Sequence, residues 1–210
     1  LHAIGDKAFD QACRAIKAAL DDYPREDHRH GIIHDCLPTP EGIQICRDYH
    51  IQMPMQSAFI GWKQEPDDYL ERILGHDRLE KLNPIRTFRD NNIVVSFGSD
   101  APCTTPDPIA WMDRAVNNDN AGQAVSVQDA LRMCTYNGAW AAFDEQERGS
   151  LEAGKIADMA VLSENPYTVP KDKLSGLRVE RLYLGGKPYE SCRESILPMM
   201  LRGLTSRNKA

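Results

Sequence analysis

Three side chains that could bind a metal ion stand at or just after the ends of predicted strands: His2, His34 and Asp100. Two imidazoles and one carboxylate form a reasonable ligand set for zinc or a similar divalent ion. In a parallel barrel the carboxyl ends of successive strands converge on one mouth, so these side chains can meet despite their wide spacing. Taken singly, each has a plainer interpretation: a lone His is usually hydrogen-bonded in the core or surface, and an Asp after a strand often caps a loop. Both interpretations stay open at this point.

The stretch at 92–102 must position Asp100. Ile93, Val94 and Val95 are consecutive β-branched residues, which favours a strand buried on both faces, as in a parallel sheet. The strand leads into a Gly-Ser-Asp turn and ends before Pro102. The carboxylate is therefore expected at the carboxyl end of a buried strand, where α/β barrels hold their chemistry.

The residues before Gly149 alternate between predicted strands and predicted helices. Strands are expected to end near residues 5, 34, 55 and 97, and helices to cover about 7–21, 41–49, 67–74, 84–91, 108–116 and 126–133. The predicted N-caps are Asp6, Asn83, Asp107 and Ser126. Repeated strand-and-helix units predict an α/β fold with a right-handed parallel sheet.

The pattern changes near Gly149. Two short predicted strands, at 159–162 and 179–184, precede a Gly-Gly turn and indicate a small β module rather than further barrel units. The tail at 191–210 mixes apolar and basic residues, and we predict that it is a helix packing on the body or on a partner.

The remaining His and Cys residues have plainer interpretations. His28 and His30 form a His-x-His pair, a spacing found in metal sites, but the pair lies in a charged stretch and is interpreted as a solvated loop. Cys36 and Cys103 lie near candidate ligands without a basic neighbour that would lower a thiol pKa, so we interpret them as small apolar residues. The sequence contains neither a Gly-rich phosphate loop nor a Gly-x-Ser-x-Gly nucleophile elbow.

The composition argues against several classes of partner. Hydrophobic residues make up 41% of the 210 residues and charged residues 27%, as in an ordinary globular protein. A net charge of −6 without a Lys/Arg block argues against nucleic acid. No apolar run reaches about 18 residues, so no membrane partner is expected. Six cysteines without CxxC pairing suit reduced thiols, and we expect a cytoplasmic location.

Four motifs together resemble the amidohydrolase superfamily: residues 2–8 (His-Ala-Ile-Gly-Asp-Lys-Ala), His34 on its strand, residues 97–102 (Phe-Gly-Ser-Asp-Ala-Pro) and the string at 149–162. The chain is most similar to amidohydrolase family 3, which includes the N-substituted formamide deformylases. In the superfamily, the string at 149–162 leads the chain from the barrel back to a β-sandwich module. The resemblance extends to about Glu190.

This resemblance implies a metal-dependent hydrolase with a (β/α)8 barrel, acting on a non-peptide carbon–nitrogen bond of a small amide or formamide. It implies one or two divalent ions in the intact enzyme, with zinc as the first choice. His2 and His34 correspond to the metal-binding histidines that close the fifth and sixth barrel strands. Asp100 matches the eighth-strand carboxylate, which activates the attacking water, can contact the metal and passes a proton to the leaving nitrogen.

Two departures from the family pattern affect this interpretation. Ile33 stands where the family usually has a Glu before the sixth-strand His, so the hydrogen-bond support of His34 is expected to differ. The His-x-His of the first strand and the fourth-strand ligand have no counterpart. We therefore interpret residues 1–148 as the carboxyl-terminal half of a (β/α)8 TIM-type barrel, strands five to eight, and residues 149–190 as strands of a β-sandwich module.

A catalytically silent, truncated fragment is the alternative interpretation. Half a barrel leaves two unpaired strand edges and an apolar interior open to water. Such a chain is expected to form a homo-oligomer or to pair with its missing amino-terminal half.

Overall fold

A computed structural model describes residues 1–189, and the tail predicted to be helical at 191–210 lies outside the described residues. Four short parallel strands organise the first part of the chain: β1 (His2–Ala3), β2 (Ile33–His34), β3 (Met53–Met55) and β4 (Val95–Phe97). β1 pairs with β2 and β3 with β4. A parallel bridge between Gly31 and Gln52 joins the two pairs, so the strands follow one another in chain order.

The α-helices of the described residues are α1 (Asp6–Asp22), α2 (Pro40–Asp48), α3 (Asp67–Leu74), α4 (His76–Leu79), α5 (Ile85–Asp90), α6 (Pro108–Val116), α7 (Val127–Cys134) and α8 (Tyr136–Ala141). α1 connects β1 to β2, and α2 connects β2 to β3. These helical crossovers between parallel strands confirm the predicted α/β class. Within residues 1–189 no helix is both long and apolar enough to cross a membrane.

Helix α1 is amphipathic because its apolar residues recur at intervals of three or four. Phe9, Cys13, Ile16 and Leu20 are all buried. The helix packs closely on α2, where a Cβ added at Gly42 would stand 2.4 Å from a ring carbon of Phe9. A side chain at that position is therefore excluded while the two helices keep this separation.

Two of the predicted N-caps are wrong. Gly5 is the N-cap of α1, and Asp6 is already its first helical residue. Pro84 precedes α5, whereas Asn83 has a φ of 50°. An N-cap usually has extended backbone, so a left-handed Asn83 does not fill that role.

The other two predicted N-caps are confirmed. The Asp107 carboxylate accepts hydrogen bonds from the amides of the second and third residues of α6. Ser126 and Asp129 form a capping box at the start of α7. Arg89 binds the same Asp129 carboxylate at 2.6 Å and so links α5 to α7.

The main core lies between the sheet and the helices. Met53, Met55 and Val95 point into it and are almost fully buried, together with Phe88 of α5. The opposite face of the sheet differs, since Ile33 remains 39% exposed. The expectation of a strand buried on both faces concerned β4 and is confirmed there, because the consecutive residues Val95 and Ser96, whose side chains point to opposite faces, are only 1% and 5% exposed.

The last described elements form a separate antiparallel sheet of β5 (Met159–Leu162), β6 (Val179–Leu184) and β7 (Lys187–Pro188). Gly185 and Gly186, both with positive φ, make the turn between β6 and β7. The strands at 159–162 and 179–184 are therefore confirmed. The division into domains at 149 stays a prediction.

A buried ion pair fastens the segment after α8 to the start of β2. The Arg29 guanidinium binds the Glu145 carboxylate with two contacts of 2.7 Å, and the two side chains are only 8% and 10% exposed. The guanidinium also lies over the rings of Trp140 and Phe143, at 4.7 and 4.1 Å from their centroids. This cluster stabilises the amino-terminal end of the sheet, opposite the candidate site.

Candidate functional site

Parallel pairing of β1 with β2 brings two of the predicted ligands into contact. His2 lies in register with Ile33, and His34 with Ala3. The imidazoles of His2 and His34 meet edge to face, with centroids 4.6 Å apart and ring planes at 81°. His2 is exposed, whereas His34 is only 7% exposed. Parallel pairing therefore places the two rings together, as expected for strand ends, while metal binding by them stays a prediction.

The surroundings of His34 favour its neutral form. Burial lowers the pKa of this imidazole, and the nearby His2 lowers it further, while Asp100 and the Gln56 side chain act in the opposite direction. A neutral imidazole has a free nitrogen lone pair, which is the form that binds a metal ion. The backbone of His34 has a φ of 81°, in the left-handed region that only a surrounding structure can maintain for such a residue.

Asp100 lies in the turn that follows β4, but it does not join the histidine pair. Its side chain is exposed, and its backbone has a φ of 53°. The carboxylate is near enough for its charge to raise the pKa of His34. Within the described part of the chain, however, no three His, Cys, Asp or Glu side chains gather closely enough to hold a metal ion.

A divalent ion fits this donor set in part. His2 and His34 offer two nitrogen ligands, and burial lowers the pKa of His34, which favours its neutral, ligating form. Asp100 adds a carboxylate in the turn after β4, near the two imidazole rings but not grouped with them. The residues present therefore fit part of a coordination shell.

Gln56 is a polar residue of the mouth that the sequence interpretation did not select. It follows β3 directly and is 8% exposed. Its amide oxygen is buried and has no hydrogen-bond partner among the described residues, and its amide nitrogen makes only a long 3.4 Å contact with the Pro54 carbonyl. The sequence did contain one signal for Gln56, because this residue, like His34 and Asp100, stands at or just after the end of a predicted strand.

Asp35, next to His34, was also not singled out. It is completely buried, and neither carboxylate oxygen has a hydrogen-bond partner within residues 1–189. Burial is the main cause that raises the pKa of this carboxyl to about 9. Asp35 is therefore protonated at neutral pH and sits beside the site as a neutral group.

The loop after β3, which contains Phe59 and Trp62, lies beside the candidate ligands. The Phe59 ring lies 6.2 Å from the His34 ring, centroid to centroid, and the Trp62 ring packs edge to face on Phe59 at 4.9 Å. Phe59 also borders a cavity of about 560 Å³, whose lining includes Leu70, Leu79 and Asn118. The mouth is thus walled by apolar surface next to the candidate ligands.

The His-x-His pair belongs to the opposite end of β2. His28 is buried: its Nε2 donates to the Tyr49 carbonyl at 2.8 Å, and its Nδ1 accepts from the His30 amide at 2.9 Å. Both ring nitrogens are occupied, so His28 is a structural residue. The interpretation as a solvated loop is therefore wrong for His28, although His30 is exposed.

The two cysteines near the candidate ligands differ from each other. Burial raises the pKa of the Cys36 thiol to about 12, which agrees with its interpretation as a small apolar residue. Cys103 is exposed, and its interpretation as a small apolar residue stays a prediction. A buried pair, Cys13 and Cys46, has its sulfur atoms 3.4 Å apart as free thiols.

Comparison with known sequences gives a consistent result. A model of the amidohydrolase family matches residues 1–189. The N-substituted formamide deformylase of Arthrobacter pascens is 34% identical over 152 residues, which are 69% of this chain and 26% of that protein. YtcJ of Bacillus subtilis (strain 168), named as an amidohydrolase candidate, is 27% identical over 201 residues, 89% of this chain and 36% of that protein. The chain thus spans roughly a quarter to a third of the length of these curated relatives.

Solved structures agree with the fold. An uncharacterised metal-dependent hydrolase from Pyrococcus furiosus superposes with a TM-score of 0.68 at 26% identity, over 80% of this chain and 33% of that one. A second such hydrolase, from Pyrococcus horikoshii OT3, also gives 0.68, at 24% identity over 81% of this chain and 35% of that one. The α/β arrangement described above is therefore shared with enzymes of this kind.

Proposed function

Because this chain belongs to the amidohydrolase family, as its sequence motifs predicted, we propose that it carries part of the active site of a metal-dependent hydrolase. The bond cleaved is a carbon–nitrogen bond of a small amide. The contact between His2 and His34 is the observation that carries this proposal. It unites two nitrogen ligands at neighbouring strand ends, where α/β barrels hold their active sites.

Each of the three predicted residues has a role in this proposal. His2 and His34 would hold a divalent ion, for which zinc is the first candidate. When bound, such an ion supplies Lewis acidity, which polarises a carbonyl and makes a water molecule more acidic. Asp100 takes a proton from the attacking water and delivers it to the leaving nitrogen.

The substrate class that we propose is an N-substituted formamide or a similar small amide. The name of the Arthrobacter relative, which is 34% identical, supports this choice. Phe59 and Trp62 support it as well, because their rings form an apolar wall beside His34 that suits a non-polar N-substituent. The proposed partner is a small molecule, not a nucleic acid or a membrane. The proposed location is the cytoplasm.

The remaining ligands are proposed to come from elsewhere in the protein, since the chain spans only part of its relatives' length. The arrangement proposed for it is the second half of a barrel. The alternative is a silent fragment that associates with itself. Leu1, Ile4 and Ile33, which are 60%, 50% and 39% exposed around the open face of β1 and β2, support either form of association.

The test uses the full-length gene product loaded with zinc and a panel of N-formyl and N-acyl amines. We expect hydrolysis, and Asp100→Asn should lower kcat by roughly 100-fold or more, since positioned proton transfer contributes about that much. Asp107→Asn is the matched control: it makes the same change in the same segment, and Asn preserves the cap of α6. A fully active Asp100→Asn enzyme contradicts the proposal.

The silent-fragment alternative is tested on the 210-residue chain alone. Stoichiometric, tightly bound zinc with hydrolase activity in a monomer refutes it. An inactive chain that sediments as a dimer or larger species supports it.

A further inference from the structure

The cavity of about 560 Å³ lies next to the candidate site and does not include the histidine pair. Phe59 is common to both, because it borders the cavity and its ring lies 6.2 Å from the His34 ring, centroid to centroid. Asn83 provides a second link, since it lines the cavity and its backbone amide donates to the carbonyl of Cys36, close to His34 in the chain, at 2.9 Å. The cavity therefore adjoins the end of β2 that carries His34.

Helices α3 and α4 line the cavity with apolar side chains that are not fully buried. Leu70 of α3 and Leu79 of α4 both border it, and both are half-buried. Neither helix contains a buried residue, although the apolar residues Leu70, Ile73 and Leu74 of α3 recur at helical spacing. A surface helix normally buries its apolar stripe against the core. The apolar wall of this cavity is therefore incompletely covered by residues 1–189, and an apolar ligand would be stabilised by covering it.

The polar part of the lining is negatively charged. Its titratable residues are Asp67, His76, Glu80 and Asp119. No Lys or Arg of the described residues lines the cavity, although Arg114 comes close, with its Nη1 only 2.9 Å from where a Cβ added at Gly61 would stand. One guanidinium does not balance three carboxylates, so the cavity repels an anionic group.

We propose that this cavity binds the N-substituent of the amide substrate and that Leu70 and Leu79 determine which substituents are accepted. The amide group then lies at His2 and His34, while its substituent passes Phe59 and covers the leucine side chains. The volume of the cavity is in the range typical of small-molecule sites. Its lining suits an uncharged aromatic or aliphatic substituent and disfavours one that carries a carboxylate. The inference rests on the proposed function in treating the ligand as a substrate.

The first test measures binding without catalysis, in the metal-free 210-residue chain labelled with ¹³C at the leucine methyl groups. The probe is N-phenethylformamide. We expect it to shift the methyl signals of Leu70 and Leu79, assigned with Leu70→Ile and Leu79→Ile, and to leave those of the fully buried Leu174 unchanged. Unchanged Leu70 and Leu79 signals up to the solubility limit of the probe would overturn the proposal and leave the apolar wall to a protein partner.

The second test compares substrates in the full-length enzyme. Leu70→Trp fills the cavity, so it should lower the ratio of kcat/KM for N-phenethylformamide to kcat/KM for N-methylformamide by roughly 10-fold or more. Ile73→Trp is the matched control, because Ile73 is on the same helix, is 57% exposed and does not line the cavity. Leu79→Phe replaces Leu70→Trp if that variant does not fold. A wild-type ratio in the folded cavity variant contradicts the proposal.

The third test addresses the charge of the lining. N-phenethylformamide with a carboxylate on its ring should bind roughly 10-fold more weakly than the uncharged probe at low ionic strength. The difference should shrink at high salt, because ions screen the repulsion from the carboxylates of the lining. Equal affinity of the two probes at low ionic strength contradicts the proposed preference for uncharged substituents.

These outcomes separate the inference from the proposed function. Shifted Leu70 and Leu79 signals, in a protein whose full-length form hydrolyses no amide, contradict the proposed function and leave the cavity as a binding site. Hydrolysis with a substrate preference that Leu70→Trp and Leu79→Phe do not change contradicts the inference and leaves the proposed function intact.

Discussion

The imidazole rings of His2 and His34 lie edge to face at 4.6 Å, although the whole of helix α1 separates them in the sequence. Parallel pairing of β1 with β2 is what brings them together. Burial and the neighbouring His2 lower the pKa of the His34 imidazole, which favours the neutral, ligating form of that ring.

His34→Gln in the full-length protein should release the bound metal. Loss of a ligand should weaken zinc binding by more than roughly 100-fold, since outer partners alone cost up to about that factor. Zinc content after dialysis against a chelator measures the effect. His76→Gln serves as the control, because the His76 side chain is 67% exposed and pairs with Glu71 on the surface. Full zinc retention in His34→Gln would show that His34 is not a ligand.

Asp35 should make the protein less stable as pH rises. The folded pKa is about 9, whereas an unfolded Asp has a pKa of about 3.9, so between these values only the folded chain keeps the proton. The free energy of unfolding therefore falls by up to about 1.4 kcal/mol for each unit by which the pH rises between these two values. Asp35→Asn should abolish this slope, so its stability relative to wild type should grow from pH 5 to pH 8.

Urea unfolding at both pH values measures that difference. Asp22→Asn, at the exposed end of α1, is the control and should change little. Parallel pH profiles for Asp35→Asn and wild type would show that Asp35 is not held protonated.

Arg29→Met should destabilise the chain far more than Arg14→Met. Removal of Arg29 leaves Glu145 buried without its partner and takes the guanidinium from the rings of Trp140 and Phe143. Arg14 binds Glu41 with both side chains about 60% exposed, where an ion pair contributes little. Thermal melting should show a drop of several degrees for the first variant only. Equal melting temperatures would contradict the assignment of the Arg29 cluster as a structural clamp.

Acid should weaken the ion pair between Arg29 and Glu145. Arg29 holds the pKa of Glu145 below its ordinary value, so the pair stabilises the fold above the unfolded pKa of about 4.3. This stabilisation is lost as pH falls through the lowered folded pKa. Wild type and Arg29→Met should therefore converge in stability at strongly acidic pH, as measured by denaturation at pH 7 and pH 3.

Thiol labelling should follow burial. Among the cysteines of residues 1–189, iodoacetamide should modify the exposed Cys103 first, and Cys36 and Cys134 much more slowly, because burial raises both thiol pKa values to about 12. Cys13 and Cys46 should react only after unfolding. Samples taken at intervals, digested and analysed by mass spectrometry, give the order in which the cysteines are alkylated. Rapid native labelling of Cys46 would contradict the packing of α1 on α2.

Local sequence signals predicted the elements well where neighbouring residues decide the structure. The apolar period of α1, the Asp107 cap and the Ser126 capping box are interactions within one or two helical turns, and all are present. The misplaced cap at Asn83 shows the limit. Its left-handed backbone belongs to a turn whose amide donates to the Cys36 carbonyl, a partner far away in the sequence.

The site was predicted in part. Strand-end positions correctly indicated that His2 and His34 converge, but Asp100 stays outside their pair. The polar groups Gln56 and Asp35 were missed because their burial and lack of partners are properties of the packed sheet.

The amino-acid sequence by itself determined the family and the identity of the chemical groups, because motifs and side-chain types are local properties of the chain. Only the tertiary structure decided which groups touch. The edge-to-face contact of His2 with His34, the burial that raises the pKa of Asp35 and the unpaired oxygen of Gln56 all depend on strand register. A shift of one residue in that register would turn each side chain to the other face of the sheet.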